Sequence, residues 1–159
     1  MKNTTLCYLE RDGKVLLLHR IKKKNDENQG KWIGIGGKLE ENESPEEGCV
    51  REFREETGLE LTSFRYRGII TFASDRWEGE YMHLFSADKA EGELVETCDE
   101  GVLAWVDRAD IPQLPQWEGD KLFLNQLLVN PDFFTMKLRY VGDDLVGAWC
   151  NGEKLNWKK

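Results

Sequence analysis

Residues 37–59 constrain this chain more than any other stretch. Gly37 is followed after five residues by Glu43, and after seven more by Arg51-Glu52-Phe53-Arg54-Glu55-Glu56-Thr57-Gly58-Leu59. The second half of this run must be helical. Ser44 is a good N-cap, Pro45 suits the first helical position, and Glu47 completes a capping box. Gly58 supplies the stop. At ~100° per residue, Glu52, Glu55 and Glu56 share one face. Cys49, Val50 and Phe53 lie on the adjoining arc, which packs against a sheet. Arg51 falls on the opposite flank of the carboxylate row, placed to pair with Glu43 or to hold the preceding loop.

Three glutamates on one helical face repel one another, and a solvated helix would interleave lysines among them. A hard divalent cation resolves the repulsion. Oxygen ligands suit Mg²⁺, with Mn²⁺ as the alternative, and substrate phosphates complete the shell. The preceding Gly34-Ile35-Gly36-Gly37-Lys38 lets the backbone turn tightly and approach an ion or a phosphate. By itself that glycine run is an ordinary turn; its weight comes from lying directly upstream of the glutamates.

This spacing resembles the complete Nudix box, the signature of hydrolases that cleave a nucleoside diphosphate linked to a further group. The resemblance implies a Nudix fold in the α/β class, an α/β/α sandwich around a mixed β-sheet. It also implies a metal shell drawn from the Gly36 carbonyl, Glu52, Glu55, Glu56 and Glu100, and a catalytic set of Arg51, Glu52, Glu55, Glu56 and Glu100. Glu100 enters because Asp99-Glu100 lies in a polar break before the apolar run Val102-Leu103-Ala104-Trp105-Val106. Without the family, an acidic pair there is only a turn. Arg20, which ends the apolar strand Val15-Leu16-Leu17-Leu18, and Lys38 are the candidate substrate-binding cations. Lys22, Lys23 and Lys24 read as a solvated loop.

Strands are expected at 4–10, 14–20, 64–73, 81–87 and 103–106. A second helix is expected over 120–128, ended by Asn130-Pro131. The segments 134–141 and 145–149 flank Gly142-Asp143-Asp144 as a closing hairpin. No repeat or interdomain linker interrupts them, so residues 1–159 read as one domain of ordinary size.

Just ahead of the second helix lies Pro115-Gln116-Trp117-Glu118-Gly119-Asp120. An indole to stack on a base and a carboxyl to bond its edge would together make a base pocket. Taken singly, Trp117 reads as a core plug and Asp120 as an N-cap. The pairing, with Gly30-Lys31-Trp32 leading into the glycine loop, resembles the MutT-type 8-oxo-dGTP diphosphatases, which hydrolyse oxidised purine nucleotides to the monophosphate and pyrophosphate. Two departures stand out. Ile33 occupies a position where an asparagine contacts the base in mammalian relatives, and Gly119 replaces the first of two aspartates.

The net charge of −8 argues against a nucleic-acid polymer as partner, whereas a nucleotide's phosphates are neutralised locally by a bound cation. No apolar run of about 18 residues is present, so no membrane span is expected. Cys7, Cys49, Cys98 and Cys150 are scattered without CxxC pairs, as cytoplasmic thiols would be. The expected ligand is a small nucleotide, and the chain is a monomer or a homodimer. Two other readings stay open: a Nudix hydrolase for ADP-ribose, a dinucleoside polyphosphate or a pterin triphosphate, and a non-catalytic nucleotide-binding domain.

Overall fold

A computed structural model describes residues 1–22 and 26–158, so Lys23 and Lys24 lie outside the described residues. The strands are β1 (Lys2–Arg11), β2 (Lys14–Arg20), β3 (Trp32–Ile33), β4 (Glu60–Ser74), β5 (Glu80–Glu91), β6 (Gly101–Asp107), β7 (Phe134–Val141), β8 (Asp144–Cys150) and β9 (Glu153–Lys154). The helices are α1 (Pro45–Thr57) and α2 (Glu118–Val129), with a short 3₁₀ turn at Arg108–Gln113. Among the described residues the nine strands join in one sheet, ordered β3-β2-β1-β5-β4-β7-β8-β9, with β6 against β2. Pairing is mixed: β1 with β5 and β4 with β7 are parallel, and the other pairs are antiparallel.

Both faces of the central strands are apolar, and their alternation sorts the core into two layers. Cys7, Leu9, Leu16 and Leu18 face α1, where they meet Cys49 and Phe53. Leu6, Tyr8, Val15 and Leu17 face α2, where they meet Phe123, Leu124 and Leu127. The expected sandwich with a mixed sheet is what forms.

α1 is built as its sequence dictates. Ser44 Oγ accepts from the Glu47 N–H at 3.1 Å, and Glu47 Oε1 accepts from the Ser44 N–H at 2.9 Å. Gly58 takes a left-handed φ of 78° and donates its N–H to the Arg54 carbonyl. The strand boundaries differ more. β4 starts at Glu60 and β5 runs to Glu91, because their antiparallel ladder continues beyond the apolar residues that mark them in the sequence. β3, β9 and the 3₁₀ turn carry too few residues for a periodic signal. The β7–β8 turn is tighter than expected, since Asp144 already pairs with Val141 and leaves Gly142-Asp143 as a two-residue loop.

α2 begins at Glu118, with Trp117 at the N-cap position, where its side chain makes no capping hydrogen bond. Asp120 is therefore not the N-cap but lies within the first turn. Among the described residues no helix is long and apolar enough to cross a membrane. All four cysteines are free thiols.

Candidate active site

The glycine turn is pinned along β1. Cys7 and Ile35 exchange backbone hydrogen bonds at 2.7 and 3.1 Å, and Thr5 donates its N–H to the Gly37 carbonyl at 2.9 Å. A Cβ at residue 36 would stand 1.8 Å from the Thr5 carbonyl oxygen, and one at residue 37 only 2.6 Å from the Glu52 carboxylate. Glycine is required at 36, where any side chain would run into the β1 backbone, and at 37 a side chain would push the Glu52 carboxylate away from the turn.

Arg51 organises the acidic face. Its Nε and Nη2 donate to the two oxygens of Glu43 at 2.7 and 2.9 Å, a bidentate pair. Nη1 reaches Glu52 at 2.8 Å and Glu55 at 3.1 Å, while Nη2 also donates to the Lys38 carbonyl at 3.1 Å. Both tasks open to Arg51 from the sequence, pairing with Glu43 and holding the loop, are therefore performed together. Arg51 also reaches back across the carboxylate row, which its opposite flank did not suggest. The hydrogen bond from Arg51 holds Glu43 well below the usual carboxylate range, at about 2.

The remaining glutamates divide. Glu56 is buried; its Oε2 accepts from the Gly36 N–H at 3.2 Å. Burial first, then the Glu100 carboxylate and a hydrogen bond shared with it, then Glu52, push the Glu56 pKa to about 9. Glu52 is likewise raised by burial, although Arg51 opposes the shift. Glu100, arriving just before β6, thus lies beside Glu52 and Glu56. Glu55 stands apart, 56% exposed and turned to Arg51.

As placed, no group of three or more acidic, histidine or cysteine side chains among the described residues is close enough to hold an ion. The donor chemistry nevertheless fits one. Three carboxylates crowd a glycine cradle until one is held neutral, and Thr5 Oγ1, on the strand that pins this cradle, is buried without a partner. A hard cation would remove that repulsion through oxygen ligands alone.

A cavity of about 260 Å³ leads away from this cradle. Gly36, Gly37, Lys38 and Arg20 line it, together with Trp117, Asp120, Phe72 and Ile33. Arg20 is not a bare cation: its Nε donates to Asp26 at 2.8 Å. His19, beside it, stacks on Trp32 with ring centroids 4.4 Å apart. Trp32 in turn donates its N–H to the Pro115 carbonyl at 2.8 Å, which ties the base loop to β3.

Trp117 is 7% exposed and packs edge-on against Phe72 and Tyr140, so it is indeed part of the core. It also lines the cavity. Its Nε1 donates to Asn28 at 2.7 Å, and the Lys31 ammonium sits 4.4 Å over its ring. Asp120 is 9% exposed; burial and the nearby Glu80 raise its pKa to about 7, with Lys31 pulling the other way. Gly119 has no room for an aspartate. A Cβ there would meet Leu138 at 2.5 Å and the Tyr140 hydroxyl at 2.7 Å, and that hydroxyl accepts the Gly119 N–H.

Asn28, Lys31, Phe72 and Glu80 have no part in the sequence reading of this pocket. Phe72 carried a usable signal, since it alternates with Ile70 on the α2 face of β4. Asn28 carried none, because its partner lies 89 residues away.

A glycine turn against a capped acidic helix, with a third carboxylate delivered from before β6, is the arrangement of a Nudix hydrolase. The NUDIX domain family matches residues 2–127, and the chain belongs to it. The oxidized purine nucleoside triphosphate hydrolase of Danio rerio is 35% identical over 147 residues, covering 91% of this chain and 90% of that protein. An uncharacterized Nudix hydrolase of Bacillus subtilis, YvcI, is 36% identical over 132 residues, 80% of each chain. A MutT protein from Bacillus halodurans, solved by crystallography, superposes with a TM-score of 0.87 at 27% identity, over 96% of this chain and 99% of that one. Within its family the chain is a MutT-type Nudix pyrophosphohydrolase.

Proposed function

We propose that this hydrolase, with residues 1–159 acting as one domain, cleaves purine nucleoside triphosphates. Oxidised forms such as 8-oxo-dGTP are included, and the products are the monophosphate and pyrophosphate. The observation that carries this reading is the continuity of the 260 Å³ cavity, which joins the glycine cradle and Lys38 to Trp117 and Asp120. A molecule with a charged tail and a flat ring matches that combination of surfaces. The oxidized purine nucleoside triphosphate hydrolase from Danio rerio supports the same substrate class.

Glu52, Glu56, Glu100 and the Gly36 carbonyl would hold Mg²⁺, with Mn²⁺ as a substitute, and Glu55 would join them by turning from Arg51. When bound, such a cation neutralises phosphoryl oxygens and acidifies a ligated water. The chain's own residues supply the rest. Arg20 and Lys38 draw the phosphate tail into register, and Arg51 keeps the acidic face and the glycine turn at a fixed distance. Glu52 and Glu100 are the candidate bases that take a proton from the water attacking the second phosphate. The bond from that phosphorus to the oxygen bridging it to the first phosphate then breaks, the nucleoside monophosphate leaves with the bridging oxygen, and the water oxygen ends up in pyrophosphate. At the other end, Trp117 offers a ring wall and Asp120, when protonated, donates a hydrogen bond to a purine carbonyl. Ile33 contributes only an apolar contact.

A substrate panel with pyrophosphate and orthophosphate measured separately tests the reading. Pyrophosphate release with a higher kcat/KM for 8-oxo-dGTP than for dGTP is expected. Preference for ADP-ribose or a dinucleoside polyphosphate would move the chain to another Nudix class, and no hydrolysis with added Mg²⁺ would leave only nucleotide binding.

A further inference from the structure

Among the described residues, four carboxyl groups line the nucleotide cavity: Asp26, Glu27, Glu80 and Asp120. Two of them have partners, Asp26 in Arg20 at 2.8 Å and Glu27 in Lys2 at 3.7 Å. Glu80 and Asp120 enter no ion pair among the described residues. The cations that act on them are engaged elsewhere: Lys2 with Glu27, and Lys31 over the Trp117 ring, 4.4 Å from its centroid. Asp120 already has a task in the substrate reading, and Glu80 has none.

The sheet fixes where Glu80 stands. It pairs with Phe72 of β4 on one side and with Lys2 of β1 on the other, and paired residues share a face. Phe72 belongs to the apolar face that α2 covers and meets Trp117 edge-on, so Glu80 stands one strand from the residue that touches the indole. Thr4 Oγ1 donates to Glu80 Oε2 at 2.7 Å, which holds the side chain and leaves Oε1 as an acceptor. Burial raises the half-buried carboxyl, with Thr4 and Lys2 opposing, and its charge in turn helps to raise Asp120. The two acids are therefore neighbours in one cavity. Gly119 has no room for a side chain, so the start of α2 brings Asp120 to the cavity and β5 brings the second acid.

We propose that Glu80 is a specificity-determining residue, whose carboxylate accepts a hydrogen bond from the exocyclic 2-amino group of a guanine-type base. The inference rests on the purine triphosphate reading and extends it to which purine. A protonated Asp120 donates to the 6-carbonyl and accepts from the adjacent N1–H, as a carboxylic acid does with a lactam. The next donor along that edge is the 2-amino group, and Glu80 Oε1 is the acceptor left for it. Hypoxanthine presents the same carbonyl and N1–H but no amine, so it would leave a desolvated carboxylate oxygen unmatched. Adenine lacks the carbonyl as well. Oxidation at C8 leaves this edge intact, so the discrimination applies to oxidised and unoxidised guanine alike.

Pyrophosphate release by the full chain with Mg²⁺ tests this, using dGTP against dITP and 8-oxo-dGTP against 8-oxo-dITP, since each pair differs in the amine alone. The wild type should show a KM about tenfold lower for the amine-bearing member, with kcat little changed. Glu80→Leu should bring the two KM values within about twofold of each other, by raising that of the guanine nucleotide. Should that variant fail to fold, Thr4→Val serves instead: losing the hydroxyl that holds Oε2 should shrink the ratio by roughly threefold or more. A merely structural role for Glu80 would weaken both members of a pair equally. That result, a wild-type ratio near one, or a ratio untouched in the variant that folds would overturn the inference and leave the substrate reading in place. No pyrophosphate from any of these nucleotides would remove both.

Discussion

The two ends of the nucleotide cavity are assembled in opposite ways. At the acidic end the helix and its hold on the turn rest on contacts short in sequence: Ser44 to Glu47 spans three residues, Arg51 to Glu43 eight, and Gly36 to Glu56 twenty, while the pinning of the turn on β1 and the approach of Glu100 are longer-range. At the base end, Trp117 is held by Asn28 across 89 residues, and by Phe72 and Tyr140 from two neighbouring strands. The first end is built around a local unit that the chain writes in one stretch, residues 36–58. The second exists only after the sheet has formed. On the proposed reading, chemistry that demands fixed charge spacing falls to the local unit, and selectivity to the part that the tertiary fold assembles.

Disturbing each end separately sharpens this contrast. The largest effect is expected at the acidic end, where Glu56→Gln should lower turnover at least a hundredfold, a loss of ~2.7 kcal/mol in transition-state stabilisation, with folding retained. Near-normal turnover at saturating Mg²⁺ would remove Glu56 from the site. At the base end, Trp117→Ala should raise KM for purine triphosphates about tenfold, or ~1.4 kcal/mol. Its Tm will fall too, since the ring is buried, so the kinetics are read on folded protein. An unchanged KM would make Trp117 a core residue alone.

Asp120 gives a prediction in pH. Its folded-state pKa of about 7 lies above its ordinary value of 3.8, so the folded chain holds one extra proton between those values. Stability should therefore decline as pH rises from about 4 to 7, by at most ~1.4 kcal/mol per pH unit from this group. Denaturant unfolding of wild type and Asp120→Asn across that range should show the slope reduced in the variant, and parallel curves would refute the burial argument. If neutral Asp120 donates to the base, wild-type KM should also worsen above pH 7, while the variant's should not follow. The smallest effect belongs to Ser44→Ala, which should cost about 1 kcal/mol through loss of the capping box, read from urea unfolding. No loss would mean that packing alone sustains α1.

Relating sequence to structure residue by residue gives the same division. The caps of α1, the glycine turn and the pairing of Arg51 with Glu43 were legible because each depends on residues a turn or two apart. That Glu55 turns outward to Arg51 was not, since helical periodicity places it with Glu52 and Glu56 and takes no account of a competing guanidinium. The absence of an aspartate at 119 appears in the sequence as a departure from mammalian relatives. Its reason, the Tyr140 hydroxyl and Leu138 pressed against that backbone, appears only in space. Trp117 was open to two readings, core plug or cavity wall, and the fold makes it both.

By itself the amino-acid order determined an acidic, self-capped helix behind a glycine turn, and with it the phosphate-hydrolysing class. Hydrogen bonds and charge repulsion over a few residues need no knowledge of the rest. Which side chains share the cavity with Trp117 and how far burial raises Asp120 were decided by the sheet. Desolvation and packing depend on what lies opposite, and the chain order does not specify that.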